Sequence, residues 1–134
     1  MVDDETTDGT RIAQLLSSEI HGHERGGLGS LSVVDADTDV EPEEFGAFAY
    51  GVAFETDDRQ RRIAEVYVHP DRARVEFTVG VEAAAEAANR EGLRVRPKAV
   101  DPPRTLVFVE NGAEVKRALR VVRAVADQLR EEGR

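Results

Sequence analysis

Arg94, Arg96, Lys98 and Arg104 fall within eleven residues of a chain whose net charge is −9. Guanidinium and ammonium groups at that density are what a protein uses to hold phosphate or carboxylate. In "LRVRPKAV", strand alternation sets Arg94, Arg96 and Lys98 on one face and Leu93, Val95 and Pro97 on the other. Arg74 lies on another predicted strand and joins them if the fold brings that strand nearby, and Tyr67 is the aromatic best placed to stack on a base. Arg74, Arg94, Arg96, Lys98, Arg104 and Tyr67 therefore form a candidate anion-binding set on an open sheet face.

A competing reading needs no ligand. Proline inside a strand belongs at a sheet edge, and edges are protected from unwanted pairing by Pro and by long cations. "RVRPK" has both. Glu65, Glu76 and Asp101 are available to pair with these bases. Salt also weighs against nucleic acid. With roughly four phosphate contacts, affinity falls with about the 3.6 power of salt. Between roughly 0.1 M and about 3 M that removes on the order of five decades, or about 7 kcal/mol.

Three further patterns invite chemistry. "HGHE" offers His21 and His23, and His69 is a third imidazole, but a zinc cage needs three or four ligands in fixed geometry. Solvated loop histidines, with His69 opening a turn, are the expected reading. "DADTDVEPEEFG" starts like a calcium loop at Asp35, Asp37 and Asp39. It then has Val40 where the tight turn needs glycine and Gly46 where a bidentate glutamate belongs. "RGGLGS" follows a predicted helix and precedes a strand, the reverse of a phosphate-binding loop. No cofactor and no catalytic residues are called for.

The chain has 134 residues, enough for one domain with its own core. It lacks cysteine, so disulfides and thiolate chemistry are excluded. "MVDDETTDGT" shows neither the cationic start nor the apolar core expected of a signal peptide, and "FGAFAYGVAF" is too short to span a bilayer. A cytoplasmic protein is expected. Of the 18 bases only Lys98 and Lys116 are lysines, against 27 acids. That balance gives a hydrated, self-repelling surface suited to high salt. Residues 1–58 carry net −13, residues 59–104 net +3 and residues 105–134 net +1.

Periodicity supplies the elements that position these residues. Residues 1–7 are expected to be a disordered tail, and 8–134 a single domain. Ile12, Leu15, Leu16 and Ile20 recur at helical spacing, with Thr7 or Asp8 as cap and Gly22 as stop. "SLSVVDA" reads as a strand. "AFAYGVAFET" alternates, with Phe48, Tyr50, Val52 and Phe54 expected on one face. "DDRQ" reads as a turn. "RIAEVYV" and "ARVEFTV" form a hairpin about "HPDR". "VEAAAEAANREG" is an alanine-rich helix with Ala84, Ala85 and Ala88 on its packing face, closed by Gly92. "LRVRPKA" and "RTLVFVE" are two more strands. A last helix over about 113–130 begins at Asn111 and Glu114 in capping-box spacing. Its buried stripe is Val115, Leu119, Val122, Val125 or Ala126, and Leu129. Its cations Lys116, Arg117, Arg120, Arg123 and Arg130 read as a solvated face. The fold class is α+β: a two-layer sandwich, a mainly antiparallel sheet of five or six strands with helices on one face, in the order α-β-β-β-β-α-β-β-α.

"VYVHPDRARVEF", "LRVRPKAV" and "PPRTLVFVE" resemble a family of small, uncharacterised single-domain proteins of haloarchaea. The resemblance implies a halophilic cytoplasm and a compact α+β domain, and supplies no activity. The function expected is a non-enzymatic interaction or scaffold domain, with a homodimer joined through the sheet. One alternative is a binder of an anionic small molecule or nucleic acid at the basic face. Another is a metal-dependent enzyme using the histidines.

Overall fold

The computed structural model describes residues 5–23, 31–56 and 59–132. Helix α1 (Gly9–His23) opens on Asp8, whose carboxylate accepts the N–H groups of Thr10 at 2.9 Å and Arg11 at 3.3 Å. These bonds satisfy two donors the first turn leaves open. Ile12, Leu16 and Ile20 are fully buried. The helix runs through Gly22 instead of stopping there, since glycine permits the left-handed stop without imposing it. Thr6, within the expected tail, accepts the Gly112 N–H through its carbonyl. The "RGGLGS" segment and Asp57–Asp58 of the expected turn lie outside the described residues.

Strands β1 (Leu31–Val34), β2 (Ala47–Thr56), β3 (Arg59–Val68) and β4 (Ala73–Phe77) follow, then α2 (Val81–Arg90), β5 (Arg94–Lys98), β6 (Arg104–Val109) and α3 (Val115–Glu132). Arg59 and Gln60, expected in a turn, begin β3. The six strands form one antiparallel sheet in the order β1-β2-β3-β4-β6-β5. The element order is the expected one, and β5 with its Pro97 is an outer strand.

One sheet face makes the core. Val52, Val66, Val68, Val75, Phe77, Val107 and Val109 pack in a single cluster with Ile12, Leu16, Ala84, Ala88, Leu119 and Val122 from the three helices. Burying each larger side chain contributes about 1.5–3 kcal/mol. Helix α3 touches both α1 and α2, so its stripe is wider than expected. It takes in Ala118 and Val121, while Leu129 is only partly buried. Ala87 shares the packing face of α2 with Ala84 and Ala88. A Schellman closure ends α2: Gly92 (φ 72°) donates to the Asn89 carbonyl and Leu93 to that of Ala88. Before α3, Asn111 accepts the Glu114 N–H through its side chain in a single 3-10 turn, Gly112–Glu114.

The β2 alternation needs a correction. Phe48 pairs with Tyr67 but Tyr50 pairs with Val66, so Ala49 is an extra residue in a bulge. The bulge turns Phe48 away from Tyr50, Val52 and Phe54. Tyr50 points at α1, where its hydroxyl donates to the Ala13 carbonyl at 2.7 Å. Phe48 lies on the face opposite the helices, edge-on to the Tyr67 ring at 5.9 Å.

Two glycines of α1 should respond in opposite directions. A Cβ on Gly9 would lie 1.8 Å from the His69 carbonyl oxygen and 2.5 Å from that of Arg72, whereas one on Gly22 meets nothing within 4 Å. In urea unfolding, Gly9→Ala should lose about 3 kcal/mol or more because main chain must shift. Gly22→Ala should gain roughly 0.5 kcal/mol from helix propensity.

Candidate functional site

The face without helices carries the charges. Cross-strand register sets Phe48, Tyr67, Arg74, Phe108 and Arg94 in one row across β2, β3, β4, β6 and β5. The next row brings Gly51, Glu65, Glu76, Leu106 and Arg96 together. Glu65 and Glu76 are thus directly opposed, an unfavourable pairing for two carboxylates. Arg104, at the start of β6, bridges them: its Nη1 donates to Glu65 Oε1 at 2.9 Å and to Glu76 Oε1 at 3.0 Å.

Glu76 is 1 % exposed and is met by three cations. Besides Arg104, Arg74 donates from Nε to its Oε2 at 2.8 Å, and Lys98 Nζ lies 3.5 Å from its Oε1. Glu65 also accepts from the Tyr67 hydroxyl at 2.8 Å and from Arg62 Nη1 at 3.0 Å. Arg62 pairs in addition with Asp35. Burial by itself would raise the Glu65 pKa. The hydrogen bonds from Tyr67, Arg104 and Arg62 outweigh that and hold it below the usual carboxylate range. Burial, reinforced by the Glu65 carboxylate, raises the Tyr67 phenol.

Of the predicted anion-binding set, Arg74, Lys98, Arg104 and Tyr67 converge, and they do so on the protein's own Glu65 and Glu76. Arg94 stands apart, 3.4 Å from Glu110 and over the Phe108 ring. Arg96 is exposed and has no hydrogen-bond or ion-pair partner among the described residues. The two neighbours Glu65 and Glu76 were legible as partners; Asp101 remains exposed on the β5–β6 connection.

His21 and His69 do not gather, and the side chain of His23 lies outside the described residues. His21 is exposed on the last turn of α1, while Gly9 at the other end of that helix packs on His69. Twelve helical residues separate those ends, about 18 Å. His69 is also not the solvated turn residue expected: it is 3 % exposed. Its Nδ1–H donates to the Glu44 carbonyl at 2.8 Å, which leaves Nε2 to accept from Arg74 Nη1 at 2.9 Å. Burial, with Arg72 and Arg74 nearby, lowers its pKa. Among the described residues no three His or carboxylate side chains are grouped to hold a metal ion. In the calcium-like segment Asp37 caps its own turn, accepting the Asp39 N–H at 2.9 Å.

Two features escaped the sequence. One is a cavity of about 320 Å³ between α1 and the β1–β2 connection, lined by Thr10, Gln14, Ser17, Thr38 and Tyr50 among others. Burial raises the Tyr50 phenol strongly, so it stays neutral. The other is the turn at Glu43–Gly46. Glu43 N–H donates to the Val68 carbonyl and Gly46 N–H to that of Glu43. The Glu44 carbonyl is held by His69 and the Phe45 carbonyl by Arg74 at 3.0 Å. Gly46 (φ 94°) must be glycine, since a Cβ would meet Arg74 at 2.8 Å and His69 at 3.1 Å. The Phe45 side chain itself is 82 % exposed. The signal for this turn was the "EEFG" tetrapeptide, with its phenylalanine before a glycine.

This architecture defines an α+β sandwich with one helix-covered sheet face and one face closed by its own ion network. The chain matches over residues 1–134 the family of unknown function DUF7993, and belongs to it. Curated proteins and solved structures give no match. Among the described residues no helix is long and apolar enough to cross a membrane.

Two measurements test the network. Glu76→Gln leaves Arg74 and Arg104 without their buried counter-charge and should cost about 3 kcal/mol in urea unfolding, the lower end for broken buried pairs because Lys98 and Arg104 keep some exposure. Arg96→Gln should stay within about 0.5 kcal/mol. The pH profile should show two losses on the acid side. A His whose folded pKa lies below 6.5 binds its proton first in the unfolded chain. Its contribution is complete above that value and drains away as pH falls toward the folded pKa. Glu65 adds a second loss as pH falls from 4.5 toward its own lowered value. His69→Asn, which keeps a donor for Glu44, should remove the upper loss and leave the lower one.

Proposed function

We propose that this chain is a non-enzymatic interaction domain of a halophilic cytoplasm, and that two copies pair through the uncovered sheet face and the Phe45 turn at its rim. The observation that carries this reading is Phe45 itself, 82 % exposed. Single exposed apolar residues are ordinary on protein surfaces. A phenylalanine held out on a turn fixed by four hydrogen bonds, two of them from the buried His69 and the largely buried Arg74, is different. The ring is presented without the ordering cost a mobile loop adds on binding.

The charge pattern supports the same reading. The cations of the sheet face are engaged by Glu65 and Glu76, so the face has little grip left for an outside anion. Arg94 and Arg96 are what remains for the anion-binding alternative. The scarcity of lysine and excess of acids support the high-salt setting.

Light scattering in molar potassium chloride tests the proposal. The wild type should weigh twice the chain mass, and Phe45→Ser should weigh once the chain mass with unchanged circular dichroism. A wild type that stays monomeric at every concentration would defeat it.

A further inference from the structure

We infer that the cavity between α1 and the β1–β2 connection is a binding site for a small uncharged polyhydroxy compound, about the size of one sugar ring. Phe45 and self-association play no part in it. The cavity holds about 320 Å³, within the range of small-molecule sites. Its floor is apolar and well packed. Ala13, Ala49 and Val68 are buried there, and Tyr50 lies among them with its hydroxyl engaged by the Ala13 carbonyl.

The walls have a different chemistry. Thr10, Gln14 and Ser17 stand at i, i+4 and i+7, so they share one flank of α1. Ser18 extends that flank, and Thr38 lines the cavity from the β1–β2 connection. None of these side chains has a hydrogen-bond or ion-pair partner among the described residues. On the open sheet face the donors are taken up by Glu65 and Glu76. Around this cavity, hydroxyl and amide groups that both donate and accept are left open.

Charge selects the class of ligand. Among the described residues no Lys or Arg lines the cavity, and one carboxylate, Asp37, does. One Asp37 oxygen accepts the Asp39 N–H, which leaves the other to accept from a ligand hydroxyl. A phosphate or carboxylate would meet that charge with no cation to offset it, inside a segment, residues 1–58, of net −13. An organic cation would be drawn to Asp37, but Asp37 is exposed. In the high-salt setting proposed above the screening length is about 3 Å, so an exposed pair of that kind contributes little. Hydrogen bonds to neutral hydroxyls are not screened in this way, and the C–H face of a sugar ring suits the apolar floor.

The rim is in place before any ligand arrives. The Asp37 N–H donates to the Ala49 carbonyl at 2.8 Å and the Val40 N–H to that of Asp37 at 3.3 Å, which ties the connection to the cavity floor. A preformed rim lowers the ordering cost of binding.

Amide NMR titrations of the full chain in molar potassium chloride test the site. The probes are glucose, myo-inositol and glycerol, with the phosphate ester and the amino analogue of each. At least one uncharged probe should give saturable shifts confined to residues 10–18, 36–40 and 49–50. Its phosphate ester should bind at least tenfold more weakly, and its amino analogue no more than threefold more tightly. Gln14→Leu, exposed on α1, should weaken binding about fivefold, the loss of one neutral hydrogen bond. Thr38→Trp, on the exposed connection, should fill the cavity and abolish the shifts; if that chain fails to fold, Ser18→Trp fills it from the helix side. No saturable shift with any uncharged probe overturns the site, as do shifts scattered over the surface or binding unchanged in a folded cavity-filled variant. An amino analogue bound tenfold more tightly than its parent overturns the uncharged class in favour of an organic cation.

Discussion

A carboxylate buried at the centre of a sheet face sets the terms for this fold. Glu76 is 1 % exposed and stands opposite Glu65. Two such charges about 5 Å apart repel by about 3 kcal/mol at an effective dielectric of 20. Desolvation adds to that cost unless every oxygen finds a donor. Arg104 between the two, Arg74 on the far oxygen and Lys98 reaching from the edge strand turn the repulsion into attraction. The concentration of cations in an acidic chain is thus largely local neutralisation. It also ties β3, β4, β6 and β5 together on the side where no helix packs.

Arg74 extends the same device outward. Its Nε and Nη2 engage Glu76, its Nη1 reaches the Phe45 carbonyl and His69 Nε2, and its guanidinium lies over the Tyr67 ring at 4.5 Å. Only a planar, five-donor cation does all of this at once; a lysine in its place would supply a single point charge. His69 completes the arrangement because a neutral ring that donates through Nδ1 must accept through Nε2. The interactions that use up the cations of the face therefore also hold the Glu43–Gly46 turn rigid. Neutralising the sheet and presenting Phe45 are one structural act.

How much of this was legible follows from which interactions are local. Helices α1, α2 and α3 announced themselves through apolar spacing and end signals, and Pro97 marked β5 as an edge because a proline there withholds a ladder donor. Glu65 and Glu76 were readable as partners of the bases, since strand alternation sets all of them on one face. The turned side chain of Phe48 was not, because nothing in the residue type of Ala49 signals a bulge. Nor was the burial of His69. It depends on Gly9 arriving from α1 and on a turn some 25 residues earlier, both long-range contacts with no periodic trace.

Ionic strength separates the two populations of ion pairs in this molecule. At about 1 M salt the screening length is about 3 Å, so exposed charges hardly sense one another. Exposed or half-exposed pairs such as Arg94–Glu110 and Arg120–Glu91 then contribute little, and such pairs are weak even in dilute buffer. The pairs around Glu76 are shielded by the side chains that form them, and salt reaches them least. The long-range repulsion among the acids of residues 1–58 is what salt removes. Raising ionic strength therefore screens the long-range repulsion among the acids more than it screens the buried pairs around Glu76.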